Sequence, residues 1–194
     1  MILNNISKYH IILASKSPRR NSFLTELNIK FEVKIKETDE TYPNGLTGGE
    51  IALHIATKKA DAFKTDICDP DLLITADTIV WFNNRVLPKP TTSDQAFKTL
   101  RMLSGKRHEV FTGVCVKTIK NSFAFIDKTN VWFSRLSNAE IEWYIEQFKP
   151  FDKAGSYGIQ DWIGLIGIER IDGSYSNVLG LPVQKLYKHL KNFD

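Results

Sequence analysis

The sequence predicts an α/β fold with an elongated mixed sheet and flanking helices, and three patterns carry that prediction. Strand-like and helix-like segments mix along the whole chain without strict βαβ repetition. Glu109 to Thr118 and Phe123 to Phe133 read as two long strands joined around Lys120-Asn121, a hairpin that requires antiparallel pairing. Thr47-x-x-Glu50, Thr92-x-x-Gln95 and Ser137-x-x-Glu140 each have the form of a capping box that opens a helix. With 194 residues and no repeat, low-complexity run or Gly/Ser/Pro linker, residues 1–194 read as one domain with a substantial core.

Taken in order, Ile11 to Ala14 is a short buried strand. Ser17-Pro18 follows as a helix entrance, with Ser as the capping side chain and Pro at the first helical position. Phe23, Leu24 and Leu27 share a face of that helix, and Phe31, Val33 and Ile35 alternate as a half-buried strand would. The helix opened by Thr47 runs to about Phe63 with Ile51, Ile55 and Ala56 inward. Leu72 to Ala76 and Ile79 to Phe82 are strand-like, and Asn83-Asn84 is a turn. Phe97, Leu100 and Leu103 form the stripe of the next helix, and Ile141, Tyr144, Ile145 and Phe148 that of the helix after the hairpin. Gly155 to Ile171 reads as glycine-punctuated strand and loop. Leu181-Pro182 begins a last helix on Val183, Leu186, Tyr187 and Leu190.

Composition excludes several classes. Apolar residues at 42% and charged residues at 25% are ordinary for a soluble globular protein. No apolar run approaches the length of a membrane span, and MILNNISKYH lacks the layout of a secretory signal. Cys68 and Cys115 are isolated, which predicts a reducing, cytoplasmic setting and no structural zinc. A net charge of +4 and a pI near 9.0 suit a polyanionic ligand, nucleotide or nucleic acid alike. The basic residues form no long run, and no RNA-binding aromatic signature is present.

The chemistry-bearing segments begin with Leu13-Ala14-Ser15-Lys16-Ser17-Pro18-Arg19-Arg20. Hydroxyls and arginines gather where a strand ends and a helix begins, a position that suits phosphate. Lys16, Arg19 and Arg20 equally suit a solvated helix face. Asp77, in Ala76-Asp77-Thr78 at the expected end of a strand, could take a proton from water or hold a divalent cation, or simply form a turn. Thr38-Asp39-Glu40 offers further carboxylates, and two brought together could share a hard metal such as Mg²⁺. Lys58-Lys59 sits within a helix, and the prolines of Leu87-Pro88-Lys89-Pro90 would hold Lys89 in place. The small residues of Asp152-Lys153-Ala154-Gly155-Ser156-Tyr157-Gly158-Ile159-Gln160 allow close approach to a ligand, and Gln160 could read a base edge. The four histidines are scattered, and no Walker-A loop, G-x-S-x-G or G-x-G-x-x-G occurs.

Together with LSGKRHEVFTGV and IDGSYSNVLGLP, these segments resemble, in order and over nearly the whole chain, the Maf family of nucleoside triphosphate pyrophosphatases. The resemblance implies two lobes around a central cleft, as in inosine triphosphatase-like folds, in a homodimer without nucleic-acid or membrane partners. It implies hydrolysis of a nucleoside triphosphate substrate to monophosphate and pyrophosphate with Mg²⁺ or Mn²⁺. Carried over, Asp77 is the proton acceptor, Glu40 shares the metal with it, and Ser15, Arg20, Lys59 and Lys89 hold phosphates. Arg19, Thr78 and Gln160 match the positions that mark the branch acting on dTTP and UTP. Lys58, Pro88 and Asp161 depart from the usual Glu, Gly and Gly, and Asp161 lies nearest the base-reading position. Three other readings compete: a non-catalytic nucleotide-binding division regulator, a nucleic-acid-binding module motivated by the pI, and a house-cleaning pyrophosphatase for non-canonical purine triphosphates.

Overall fold

The computed structural model describes residues 3–193, so Met1, Ile2 and Asp194, parts of the expected single domain, lie outside the described residues. Its sheet runs β2 (Glu32–Val33), β1 (His10–Leu13), β3 (Asp71–Phe82), β5 (Arg107–Lys117), β6 (Ser122–Phe133) and β7 (Ile168–Asp172), and β4 (Arg85–Leu87) also pairs with β3. β1 is parallel to β2 and β3, and the other pairings are antiparallel. The sheet is therefore mixed, as expected.

One edge of β3 carries β5 continuously from Leu73 to Trp81. The opposite edge is shared: β1 pairs through Ile74, and β4 resumes pairing at Val80. Between them, β3 has an unpaired length of edge that includes Asp77 and Thr78. A break of this kind leaves backbone groups that another group must satisfy.

Alternation along β3 sends its side chains to two faces. On one face, Leu72, Ile74 and Ala76 join Leu24, Leu186 and Leu190 in one core cluster. That cluster holds α1 (Pro18–Glu26) and α7 (Val183–Lys191) against the sheet. Farther along the same face, Val80 and Phe82 join Leu100, Leu103, Phe133 and Tyr144 in a second cluster, which seats α3 (Ser93–Leu103) and α4 (Asn138–Phe148). Thr78 falls between the clusters. The two expected lobes are these clusters on one sheet.

The other face packs against α2 (Gly49–Asp61), whose Ile51, Ala52, Ile55 and Ala56 are all buried. Gly113, opposite Asp77 on β5, permits the close approach, because a Cβ there would lie 2.4 Å from the Leu53 nitrogen and 2.5 Å from the Ala52 carbonyl oxygen. Ala52, Ala56 and Lys59 recur at helical spacing. Lys59 therefore comes down onto the same sheet face as Asp77.

Several local expectations need correction. Leu72–Ala76 and Ile79–Phe82 are one strand, so Asp77 lies mid-strand, at the break in the neighbouring edge. The alternation at Phe31, Val33 and Ile35 does not bury a strand face. β2 has two residues, and Val33 and Ile35 are 40% and 47% exposed. Within Gly155–Ile171 lies a short helix, α5 (Trp162–Gly167), ahead of β7, and α6 (Tyr175–Val178) follows it. Ser17 makes no side-chain capping bond, and the Thr47 motif is only half made, with the Glu50 carboxylate accepting from the Thr47 N–H while Gly48 takes the cap position. The Ser137 box is complete, and Thr92 caps α3 by accepting from the Gln95 N–H. Phe148 is exposed rather than core.

Candidate active site

A cavity of about 560 Å³ opens at the break in the sheet edge. Its walls come from the β1–α1 turn, the segment through Glu40, the middle of β3, Lys89, and the segments 152–160 and 178–180. Ser15, Arg19, Arg20, Glu40, Lys59, Asp77, Thr78, Lys89 and Gln160 all line it. Asp39, considered beside Glu40, does not: it accepts from the Thr41 N–H at 2.9 Å and pairs with Lys58 at 3.3 Å, outside the cavity.

Lys59 joins the two expected carboxylates. Its ammonium donates at 2.7 Å to Asp77 Oδ1 and at 2.7 Å to Glu40 Oε1. Burial pushes the Asp77 carboxyl above its ordinary value, against the pull of Lys59 and Arg20, while Glu40 adds to the rise. Burial would raise Glu40 as well, but its hydrogen bond to Lys59, with the charges of Lys59, Lys89 and Arg20, outweighs it and holds that carboxyl low. The pair is thus unequal: Asp77 is the stronger base and Glu40 the more persistent anion.

Arg20 fills the sheet break. It donates from Nε to the Gly180 carbonyl at 2.7 Å, and from Nη1 to the Ala76 carbonyl at 2.9 Å and Ser15 Oγ at 3.3 Å. Nη2 donates to Thr78 Oγ1 at 3.0 Å. Burial lowers the guanidinium below its ordinary value, with Asp77 opposing the shift. Most of the fork is committed to the protein, so Arg20 closes the open strand edge as well as charging the cavity.

Thr78 points to the face opposite Asp77. Because Thr112 Oγ1 donates to the Asn177 carbonyl at 3.0 Å, the 2.9 Å bond between the two hydroxyls has Thr78 as donor. Its hydroxyl is therefore occupied by Arg20 and Thr112, with the Gly180 carbonyl a further acceptor at 3.4 Å. Arg19 donates from Nε to the Leu179 carbonyl at 3.3 Å and reaches Asp152 at 3.8 Å, while the exposed Gln160 lines the rim. Ser15 Oγ also accepts from the Ser17 N–H at 3.2 Å, which fixes the turn into α1.

The cavity includes residues to which the sequence reading gave no role: Lys16, Asp152, Lys153 and Tyr157. Lys16 was present in the first motif, and the other three lie within the DKAGSYGIQ segment. Their composition was legible, but their direction depends on the Gly155 turn, where φ is 70°.

The donor set also bears on a divalent cation. Among the described residues, no group of three or more His, Cys, Asp or Glu side chains forms a ready cage. Two carboxylates nevertheless converge on one ammonium, so the spot already accommodates a cation. Mg²⁺ commonly takes one or two carboxylates and completes its shell with substrate phosphates and water. Asp77 and Glu40 fit that role.

Comparison with known proteins places the chain in a family. A family model described as Maf-like protein matches residues 10–193. A Parabacteroides distasonis protein named dTTP/UTP pyrophosphatase is 50% identical over 193 residues, covering 99% of this chain and 100% of its own. One of the same name from Phocaeicola vulgatus is 52% identical over 191 residues, covering 98% and 99%. A solved Mycobacterium abscessus structure, titled nucleoside-triphosphatase / dITP/XTP pyrophosphatase, overlaps at a TM-score of 0.41 with 13% identity, over 66% of this chain and 76% of that one. With a family match across nearly its full length and relatives at half identity end to end, the chain belongs to the Maf-like protein family.

Proposed function

We propose that this chain hydrolyses dTTP and UTP to the nucleoside monophosphate and pyrophosphate, in the cavity at the break beside β3. The observation that carries the reading is Asp77, a buried carboxylate of raised basicity that faces a cavity bearing Lys16, Arg19, Arg20, Lys59, Lys89 and Lys153. The half-identical relatives carry the same activity in their names.

The roles follow from charge and reach. A triphosphate brings about four negative charges, so holding it in line and neutralising it make up most of the catalytic task. Lys59, Lys89, Ser15 and the uncommitted part of the Arg20 fork hold phosphate oxygens. Asp77 orients a water and accepts its proton. Mg²⁺ or Mn²⁺, held by Asp77 and Glu40, supplies charge neutralisation on the phosphates when bound. Arg19 and Gln160 meet the base, while Thr78 acts through Arg20, whose guanidinium it holds. The working unit is taken as one domain in a cytoplasmic homodimer, without nucleic-acid partners. Among the described residues, no helix is long and apolar enough to cross a membrane.

The test is pyrophosphate release across canonical and modified triphosphates, with and without Mg²⁺. Preference for dTTP and UTP, lost with chelator, is expected. Purine preference would move the reading to a house-cleaning enzyme, and binding without turnover to a nucleotide-binding regulator. Asp77→Asn should fold normally by circular dichroism yet lose ~100- to 10,000-fold in kcat. Activity near that of the unaltered chain would remove Asp77 from its role.

A further inference from the structure

Asp161 follows Gln160 directly, has no part in the chemistry above, and stands where the family resemblance leads one to expect glycine. It is not an idle surface charge, since its side chain is only 12% exposed. Oδ2 accepts from the Tyr144 hydroxyl at 2.7 Å, and that same hydroxyl accepts from the Gly158 N–H at 3.1 Å. The Asp161 N–H donates to the Gly158 carbonyl at 3.0 Å, so residues 158–161 close on themselves. Tyr144 is fully buried in α4, which makes it a fixed anchor for a turn that would otherwise hang over the cavity.

The same carboxylate oxygen reaches a second wall of the cavity. Lys153 Nζ lies 3.9 Å from Asp161 Oδ2 and 2.7 Å from Asp152 Oδ1, and Asp152 in turn is 3.8 Å from Arg19. A charge chain therefore runs from Asp161 to the arginine assigned to the base. The fit is close: a Cβ on Gly158 would lie 2.4 Å from Asp161 Oδ2, so the carboxylate occupies the space a side chain at 158 would need.

We infer that Asp161, acting through Tyr144, is a positioning residue that fixes the Gly158–Gln160 turn and the Asp152–Lys153 wall, and so sets nucleotide affinity without taking part in bond cleavage. The inference rests on the proposed function for the identity of the nucleotide, but not for the existence of the brace. Removing the carboxylate leaves the Tyr144 proton without its buried acceptor and takes from Lys153 the more distant of its two carboxylate partners, leaving Asp152 at 2.7 Å. Removing the Tyr144 hydroxyl cuts the same link from its other side while the ring still fills its place.

The test compares Asp161→Ala, Tyr144→Phe, the double variant and Asp161→Asn with the unaltered chain, with melting temperature as a check of folding. Each single loss should raise KM for dTTP about ten-fold and leave kcat within about two-fold. The double variant should fall well short of the combined single losses, because both break the Tyr144–Asp161 bond, while Asp161→Ala also loosens Lys153 and Tyr144→Phe also strips the Gly158 N–H of its acceptor. Asp161→Asn keeps an oxygen for the Tyr144 hydroxyl and should recover most of the KM. Hydrogen exchange over residues 157–161, read by mass spectrometry, should be about ten-fold faster in the Ala and Phe variants but not in Asn. An unchanged KM, a loss falling on kcat, additive effects in the double variant, or Asn as impaired as Ala would each overturn the inference. If the unaltered chain releases no pyrophosphate from any triphosphate, it is the proposed function that fails. The exchange measurement then decides the brace alone, and unchanged exchange rejects it.

Discussion

Arg20 shows how one side chain can serve structure and charge together. Its donors reach two backbone carbonyls and two hydroxyls across the gap where β3 lacks a partner strand. A lysine retains the charge but has no planar fork, so it cannot meet acceptors spread around that gap. Arg20→Lys should therefore lower unfolding free energy by about 2–4 kcal/mol in urea titration, beyond its effect on activity. A loss below about 0.5 kcal/mol would show that the fork is not what closes the edge. Nothing in the sequence of LASKSPRR distinguishes its two arginines in this respect. Only the fold shows that Arg20 turns inward to Gly180 and Ala76, while Arg19 reaches Leu179 and Asp152.

At the scale of elements, two serines that look alike in sequence do different work. Ser137 forms both bonds of its capping box, whereas the Ser17 side chain makes no cap and the turn is held instead by the Ser17 N–H donating to the Ser15 hydroxyl. Ser137→Ala should cost about 1 kcal/mol of stability and Ser17→Ala only a few tenths, as read from urea midpoints. Equal losses would mean that the turn into α1 has been misread. The same contrast explains how much could be read in advance. The hairpin of β5 and β6, the helices carrying Leu100, Ile141 and Leu186, and the gathering of Asp77, Glu40 and Lys59 were legible, because periodic apolar runs and the family segments mark them. The continuity of β3 was not, because Asp77 and Thr78 interrupt its apolar run with polar side chains. They sit there because the neighbouring strand edge is broken, and a break is set by which strands pair. Nor was the shortness of β2 legible, since alternation at Val33 and Ile35 records a pattern and not what covers it. α5 was hidden by glycines, and Gly164 is needed there because a Cβ would lie 2.0 Å from the Ile159 carbonyl oxygen.

Across the whole molecule, the cavity lies between two core clusters, so the packing that supports it also sets how the fold responds to acid. His108, packed against the second cluster, is 1% exposed, with its Nε2 2.7 Å from the Tyr157 hydroxyl and its ring edge-on to Phe133 and Tyr157. Its Nδ1 is buried without a hydrogen-bond partner among the described residues. Burial pushes the imidazole down to about 3 in the folded chain, against 6.5 for an unperturbed histidine. Between those values the unfolded chain binds a proton that the folded chain does not. The stability contributed by keeping His108 neutral is therefore complete above about pH 6.5 and falls as pH drops, by up to ~1.4 kcal/mol per unit, until the folded group itself protonates. Glu40, Asp71 and Asp152, held low in the fold, add their losses only near and below the ordinary carboxylate range. Asp77 acts oppositely, since a carboxyl raised in the fold regains stability as pH falls through its folded value. From pH 7 to pH 5, the decline should thus belong mainly to His108 and amount to roughly 2 kcal/mol. His108→Gln should start less stable at pH 7 by about 1–3 kcal/mol, having lost the fitted ring and its bond, yet hold a much flatter profile down to pH 5. Urea unfolding at pH 7, 6 and 5 reads both slopes. If the variant falls as steeply as the unaltered chain, a group other than His108 carries the acid sensitivity of the cluster behind Tyr157.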